Sequence, residues 1–366
     1  MAPHPIFDRS TFAWERTEVK AFFALLVGSV SQLPEIRQLY AQAGGEPAAL
    51  NTAQAPRDVW ADALDLLAGA RALRELFEEV LPGVKRLEGA EDFQAALRAV
   101  VDAIPSTQRR IISGKPVLDR QPLRALVTTL QSEESLRVLL VRGDPKTGKT
   151  YGRYVFHAAA ADSGATAVYL YAPMVATVDQ VIAELFSALH ADDEIPPKDT
   201  SPPAWYAAVC RKLGRVAADK NAHLWIAVDD LGAASEDDGA PLLDKEITKF
   251  CQQFVYHIAN PSFGQWFRLM LIDYPAEPVP TRWIRDVWAE DTPTSADVQA
   301  QDVQDYLRDW AASQDRTFVD EELVALANEV IGSVDGPPAG DTLGPRLQRL
   351  NDKLAETLQK QTAPAP

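Results

Sequence analysis

The chain has 366 residues, 46% hydrophobic and 24% charged, with 36 Lys+Arg against 52 Asp+Glu and a formal net charge of −16. At about 100–200 residues per domain this predicts two or three domains, and the composition excludes a disordered chain. The acidic balance and the lack of a basic stripe argue against nucleic acid, where phosphate neutralisation dominates affinity. Two cysteines, Cys210 and Cys251, form no CxxC, which excludes a disulfide framework or a thiolate zinc site and points to a reducing cytosol.

The first hundred residues predict an all-helical bundle. Val19, Phe22, Phe23, Leu26, Val27 and Val30 follow the helical stripe i, i+3, i+4, i+7, i+8, i+11. This apolar stretch, residues 21–30, is half the roughly 20 residues of a membrane span, and Glu15, Arg16, Glu18 and Lys20 give it the wrong flank for a signal peptide. Pro34 opens a second helix with Ile36, Leu39 and Tyr40 inward, stopped by Gly44-Gly45. Val59, Trp60, Ala63, Leu64 and Leu67 predict a third, interrupted at Gly69 before a fourth with Leu73, Leu76, Phe77 and Val80. Phe93, Leu97, Val100, Val101 and Ile104 predict a fifth, ended by Pro105. Residues 1–104 are therefore one domain, and 105–135, basic and proline-containing, a linker and lead-in helix.

From residue 136 strands and helices alternate. Strands are predicted at 136–142, 165–171, 223–229 and 267–273, with a short fifth near 284–288. Helices fall at 149–161, 177–190, 204–219 and 241–259. Continuous apolar strands alternating with helices imply a parallel sheet covered on both faces, so 136–291 reads as an α/β core. Residues 292–366 read as a helical lid: a helix capped by Ser295 or Thr294, another through Leu323, Leu326, Ala327 and Val330, and a last through Leu347, Leu350, Leu354 and Leu358.

Gly143-Asp144-Pro145-Lys146-Thr147-Gly148-Lys149-Thr150 fits G-x-x-x-x-G-K-[ST] between a buried strand and a helix. The glycines let successive N–H groups face a β-phosphate, Lys149 neutralises β- and γ-phosphate charge, and the Thr150 hydroxyl ligates Mg²⁺. Tyr151 follows the loop and either borders the nucleotide or packs on the helix. The strand ending in Asp229-Asp230 supplies the second half: Asp229 for Mg²⁺, Asp230 to orient or deprotonate the attacking water. Asp273 either contacts the γ-phosphate and water or caps its loop. Arg282 and Arg285 are either arginine fingers across a subunit boundary or solvated side chains. The five histidines show no metal spacing.

These residues give the segment from about 113 to 335 a resemblance to P-loop NTPases of the AAA+/STAND group. The matching features are GDPKTGKT, LWIAVDD, FRLMLID, the helical segment after TPTSADV and the lead-in SGKPVLDRQPLRALVTTL. The resemblance implies ATP as the nucleotide, and no guanine-reading N-K-x-D appears. It also implies that the lead-in and lid enclose the adenine, with Arg120 and Leu123 taking part. LPEIRQLYAQAG and PRDVWADALDLLAGARALRELFEEVL resemble the effector-associated domains of bacterial conflict systems, small death-fold-like bundles. That implies pairing with a like domain on an effector protein, and self-association. Two features depart from the pattern. Asp273 stands where many such proteins have arginine, and the lid region is too short for a winged helix plus a repeat array that would act as sensor.

Three functions follow as expectations. The first is an ATP-controlled, slowly hydrolysing signalling switch in antiviral defence that assembles and recruits an effector. The second is a small AAA+ loader or motor on nucleic acid. The third is a nucleotide-binding scaffold with little hydrolysis, since Asp230 is one methylene shorter than the glutamate usual in fast AAA+ hydrolases.

Overall fold

The apolar stripe of Thr17–Ser29 (α1) is buried: Val19, Phe22 and Leu26, with Val30 just past the helix end, have no exposed surface. In the computed structural model the described residues are 4–8, 11–14, 16–103, 105–112, 115–118, 120–132, 135–143, 147–175, 177–232, 245–275, 279–293, 298–313, 316, 318–335 and 346–362. The chain divides into two compact units, residues 1–106 with 162–164 and the remainder.

The first unit also holds Leu33–Gln42 (α2), Pro56–Gly69 (α3), the short Lys85–Glu88 (α4) and Glu91–Val101 (α5); α1 packs against α5 and α3, α2 against α3, and α4 against α5. Trp60 on α3 is fully buried, and its indole N–H donates to the Val30 carbonyl at 2.8 Å, tying α3 to the end of α1. The core begins earlier than the helical stripe indicates. Ile6, Phe7, Phe12 and Ala13 are buried, and Phe7, Phe12 and Phe22 all border Phe77, the Phe22 ring at 4.9 Å.

α3 ends at Gly69, where the sequence predicts the interruption, and the left-handed residue of its C-terminal turn is Arg71, at φ 57°. Ala72 N bonds Leu67 O at 2.8 Å and Arg71 N bonds Ala68 O at 3.0 Å, the paired bonds of a Schellman end. Arginine bears a steric cost there that glycine escapes. Arg71→Gly is therefore expected to stabilise the chain by about 1 kcal/mol, read as a higher thermal midpoint. An unchanged or lower midpoint removes this account of the helix end. The predicted fourth helix is a π-helical turn, Glu75–Val80, with Leu81 N bonded to Leu76 O at 2.9 Å. Its wider winding buries Leu73, Leu76, Phe77 and Leu81 together.

The second unit opens with a small antiparallel pair, Ile111–Ile112 (β1) and Lys115–Pro116 (β2), followed by Gln121–Ser132 (α6). This lead-in has few apolar residues, and a buried guanidinium organises it instead. Arg124 on α6 donates to the carbonyls of Thr107, Arg109 and Val117 at 2.6, 2.9 and 2.7 Å.

Five parallel strands follow: Val138–Val141 (β3), Thr166–Tyr171 (β4), Leu224–Asp229 (β5), Phe267–Ile272 (β6) and Trp288–Asp291 (β7), in the order β4-β5-β6-β3-β7. Strand alternation divides the core. Leu139, Val141, Trp225, Ala227, Met270 and Ile272 pack with α6 and with Gly152–Asp162 (α7). Val138, Leu140, Ile226, Val228, Leu269 and Leu271 pack on the other face, with Val178–Ser187 (α8), Pro202–Asp219 (α9), Lys245–Ile258 (α10) and the short Pro261–Gly264 (α11). The fold is thus mixed α/β, a parallel sheet with helices on both faces and an all-helical unit N-terminal to it.

The fifth strand lies later than the predicted 284–288. Trp283 turns inward, its ring 5.8 Å from Tyr274 and its indole N–H donating to Gln252 O at 3.2 Å. Arg285–Val287 then form a 3₁₀ turn, and pairing with β3 starts at Trp288. Ala300–Ser313 (α12), Asp320–Asp335 (α13) and Arg346–Thr362 (α14) close a separate cluster through Val303, Leu307, Leu323, Ala327, Leu350 and Leu354. The proposed caps Thr294 and Ser295 lie outside the described residues.

Candidate functional site

The strand order creates a crevice before any side chain is considered. From β3 the chain leaves through α7 on one face of the sheet, whereas the helices after β4 and β5 lie on the other. The carboxyl ends of the adjacent strands β3 and β6 therefore flank a topological switch point, the usual ligand position in open α/β sheets.

The glycine-rich segment starts at the end of β3. Gly143 has φ 129° and Gly148 φ 84°, conformations that L side chains rarely adopt. A Cβ on Gly143 would also lie 3.1 Å from Pro293 O. Asp144, Pro145 and Lys146 lie outside the described residues. Thr147 and Lys149 are each 8% exposed. Lys149–Tyr151 form a 3₁₀ turn that leads into α7, so the α-helix itself starts at Gly152, three residues after the predicted start. Tyr151 is 36% exposed, with its ring 5.8 Å from Tyr154.

Lys149 Nζ donates to Gly143 O at 2.7 Å and pairs with Asp273 Oδ1 at 2.9 Å. Asp273 directly follows β6 with φ 57°, and Gly232 makes room for it: a Cβ there would lie 2.9 Å from Asp273 O. A carboxylate therefore lies against the ammonium that the motif assigns to phosphate. This takes Asp273 beyond the expected choice between γ-phosphate contact and loop capping.

Thr150 Oγ1 donates to Asp229 Oδ1 at 3.2 Å, which unites the two predicted metal-binding residues. Asp229 ends β5 at 1% exposure. Burial pushes its carboxyl above the usual range, against the opposing pull of hydrogen bonds from Tyr169 and Thr150 and of nearby Arg153. Two hard oxygens at this spacing suit Mg²⁺, which keeps several waters and completes its shell with phosphate oxygens. Asp230, next in sequence, has φ 65°, and its carboxylate raises the pKa of the Tyr171 phenol.

Arg120 and Leu123, which the resemblance implies beside the adenine, border the loop and the start of α7. Leu123 is fully buried at the start of α7, where a Cβ on Gly152 would lie 2.9 Å from its Cδ2. Arg120 donates to Gly148 O at 3.0 Å and pairs closely with Asp291 at the end of β7. Its guanidinium thus braces the back of the loop. Arg282 and Arg285 lie over Tyr256 and Trp288, 5.6 and 4.3 Å from the ring centres, and Arg285 also donates to Trp288 O at 2.9 Å.

Tyr169 and Arg153 escaped the motif reading. Tyr169 OH donates to Asp229 Oδ2 at 2.8 Å, and the Arg153 guanidinium lies 3.9 Å above the Tyr169 ring centre. Two signals were available: Arg153 is three residues after Thr150, at the start of α7, and alternation in β4 puts Tyr169 and Tyr171 on one side.

Beside this cluster His157 on α7 is pushed down to about 4 by burial and by Arg153. His223 and His257 are also lowered, chiefly by burial. A histidine held neutral in the fold protonates once unfolded, so between about pH 6.5 and 4 the unfolded chain binds more protons. Stability is then full above this window and falls as pH drops through it, for His157 at up to about 1.4 kcal/mol per unit. His157→Gln is expected to narrow the stability difference between pH 7 and pH 5 in denaturant unfolding. An unchanged difference places the acid sensitivity elsewhere.

No family model matches this chain, and comparison with curated proteins gives no match. Among the described residues no helix is long and apolar enough to cross a membrane.

Proposed function

We propose that this chain is a P-loop ATPase of the AAA+/STAND type that acts as a signalling switch. It binds ATP with Mg²⁺ at the ends of β3 and β5 and hydrolyses it slowly. Nucleotide state controls self-assembly and the recruitment of an effector through the N-terminal bundle, in a cytosolic antiviral response. One observation carries the nucleotide reading: Gly143, Gly148, Lys149 and Thr150 of the motif lie at the switch point, with Thr150 Oγ1 3.2 Å from Asp229 Oδ1. The order β4-β5-β6-β3-β7 supports it, because β6 separates the strand of the loop from the strand of the acidic pair.

In this reading Lys149 holds the β- and γ-phosphates, Thr150 and Asp229 hold Mg²⁺, and the ion supplies charge neutralisation at the transferring phosphoryl group. Asp230 orients a water whose oxygen attacks the γ-phosphorus as the bond to the bridging oxygen breaks. Its side chain, one methylene shorter than the glutamate usual in fast AAA+ hydrolases, favours a low rate.

Light scattering with ATP or ADP, with Lys149→Ala as control, tests the switch. The wild type is expected to assemble with ATP and the variant to remain unassembled. Assembly that ignores both nucleotide and variant overturns the switch. A nucleotide-binding scaffold is the second reading, favoured by the Lys149–Asp273 pair, which competes with phosphate. Turnover separates the two: a near-zero rate that is unchanged in Asp230→Asn supports the scaffold.

A further inference from the structure

We infer that Tyr169 is a positioning residue for the divalent cation, which it directs to one oxygen of Asp229 while keeping Arg153 off the other. The inference rests on the reading of this site as a Mg²⁺–nucleotide site. Tyr169 lies on the edge strand β4, paired in register with Ala227, two residues before Asp229 on β5. Its hydroxyl takes Oδ2 at 2.8 Å, and the Thr150 hydroxyl meets Oδ1 at 3.2 Å. A carboxylate is free to rotate about its last torsion unless hydrogen bonds fix it. Here both oxygens are held, and Oδ1 is the one beside the second hard donor.

The Arg153 guanidinium is close to the same carboxylate, with Nη1 3.9 Å from Oδ2. A cation at that distance is a direct competitor of Mg²⁺ for Asp229. Two features keep it from closing: the Tyr169 hydroxyl occupies Oδ2, and the Tyr169 ring holds the guanidinium 3.9 Å from its centre. Arg153 also lies 5.0 Å from the Tyr154 ring centre and donates to its hydroxyl at 3.2 Å. Without the Tyr169 hydroxyl, Asp229 turns toward Arg153 and closes this long 3.9 Å ion pair, and the metal position beside Thr150 is lost.

Tyr169→Phe keeps the ring and its stacking and removes only the hydroxyl. The full-length chain, with folding checked by its thermal midpoint, is titrated with ATP in EDTA and then with Mg²⁺ at fixed ATP. Tyr169→Phe is expected to bind metal-free ATP within about twofold of wild type, while its Mg²⁺ midpoint rises about tenfold or more, as for other outer partners of a metal ligand. Arg153→Met added to Tyr169→Phe is expected to recover part of that loss, because the competing cation is gone. An unshifted Mg²⁺ midpoint overturns the inference, as does an equal loss with and without metal, which marks a purely structural residue. A wild-type chain that binds ATP in neither condition overturns the site reading itself, and the inference with it.

Discussion

Lys149→Ala is expected to weaken ATP binding by at least about 100-fold while the chain stays folded. The ammonium is buried at the switch point, where water screens it poorly, and removing one partner of a buried charged hydrogen bond costs about 2–4 kcal/mol. A hundredfold loss corresponds to about 2.7 kcal/mol, within that range. The fold survives because the partner left behind, Asp273, has a side chain 32% exposed and can be hydrated. Calorimetry on the full chain measures this, with thermal unfolding as the check. Affinity within threefold of wild type contradicts the assignment of Lys149 to phosphate.

Asp273→Asn is expected to act in the opposite direction, tightening ATP binding about tenfold. In the structure Lys149 must leave Asp273 Oδ1, 2.9 Å away, before it can meet a phosphate. A partly exposed ion pair of this kind is worth about 1 kcal/mol, and a charge-assisted bond somewhat more, which gives roughly five- to tenfold. Asparagine also tolerates the left-handed backbone at 273, so the loop conformation is kept. The ligand-free variant loses stability as Lys149 loses its counter-charge. Weaker ATP binding by Asp273→Asn would make Asp273 a ligand-side residue rather than a competitor. Opposite effects from the two halves of one ion pair are a signature that general destabilisation does not produce.

The parts legible in the sequence are those set by local chemistry. The glycine positions, Lys149 and Thr150 follow from the backbone demands of the loop, and the strands of the sheet follow from short apolar runs. Partners set by register were not legible. Tyr169 reaches Asp229 only because β4 pairs with β5 in one register and alternation puts its side chain on the shared face. Arg120 sits 28 residues before Gly148, and only the folded lead-in brings its guanidinium to that carbonyl.

The errors have local causes too. Residues 284–288 looked strand-like, but burial of Trp283 delays pairing to Trp288. Phe7 and Phe12 carry no helical period, so their place beside Phe77 left no pattern to read.

The central claim is that the loop after β3 is a phosphate site serving a Mg²⁺-dependent nucleotide. Calorimetric titration of the full chain with ATP, ADP and AMP, each with and without Mg²⁺, tests it most directly. One ATP per chain is predicted, with Mg²⁺ strengthening ATP and ADP binding and AMP binding at least about 100-fold more weakly, because Lys149 acts on the outer phosphates. Equal affinity for AMP and ATP, or no nucleotide binding with Mg²⁺ present, would contradict the account.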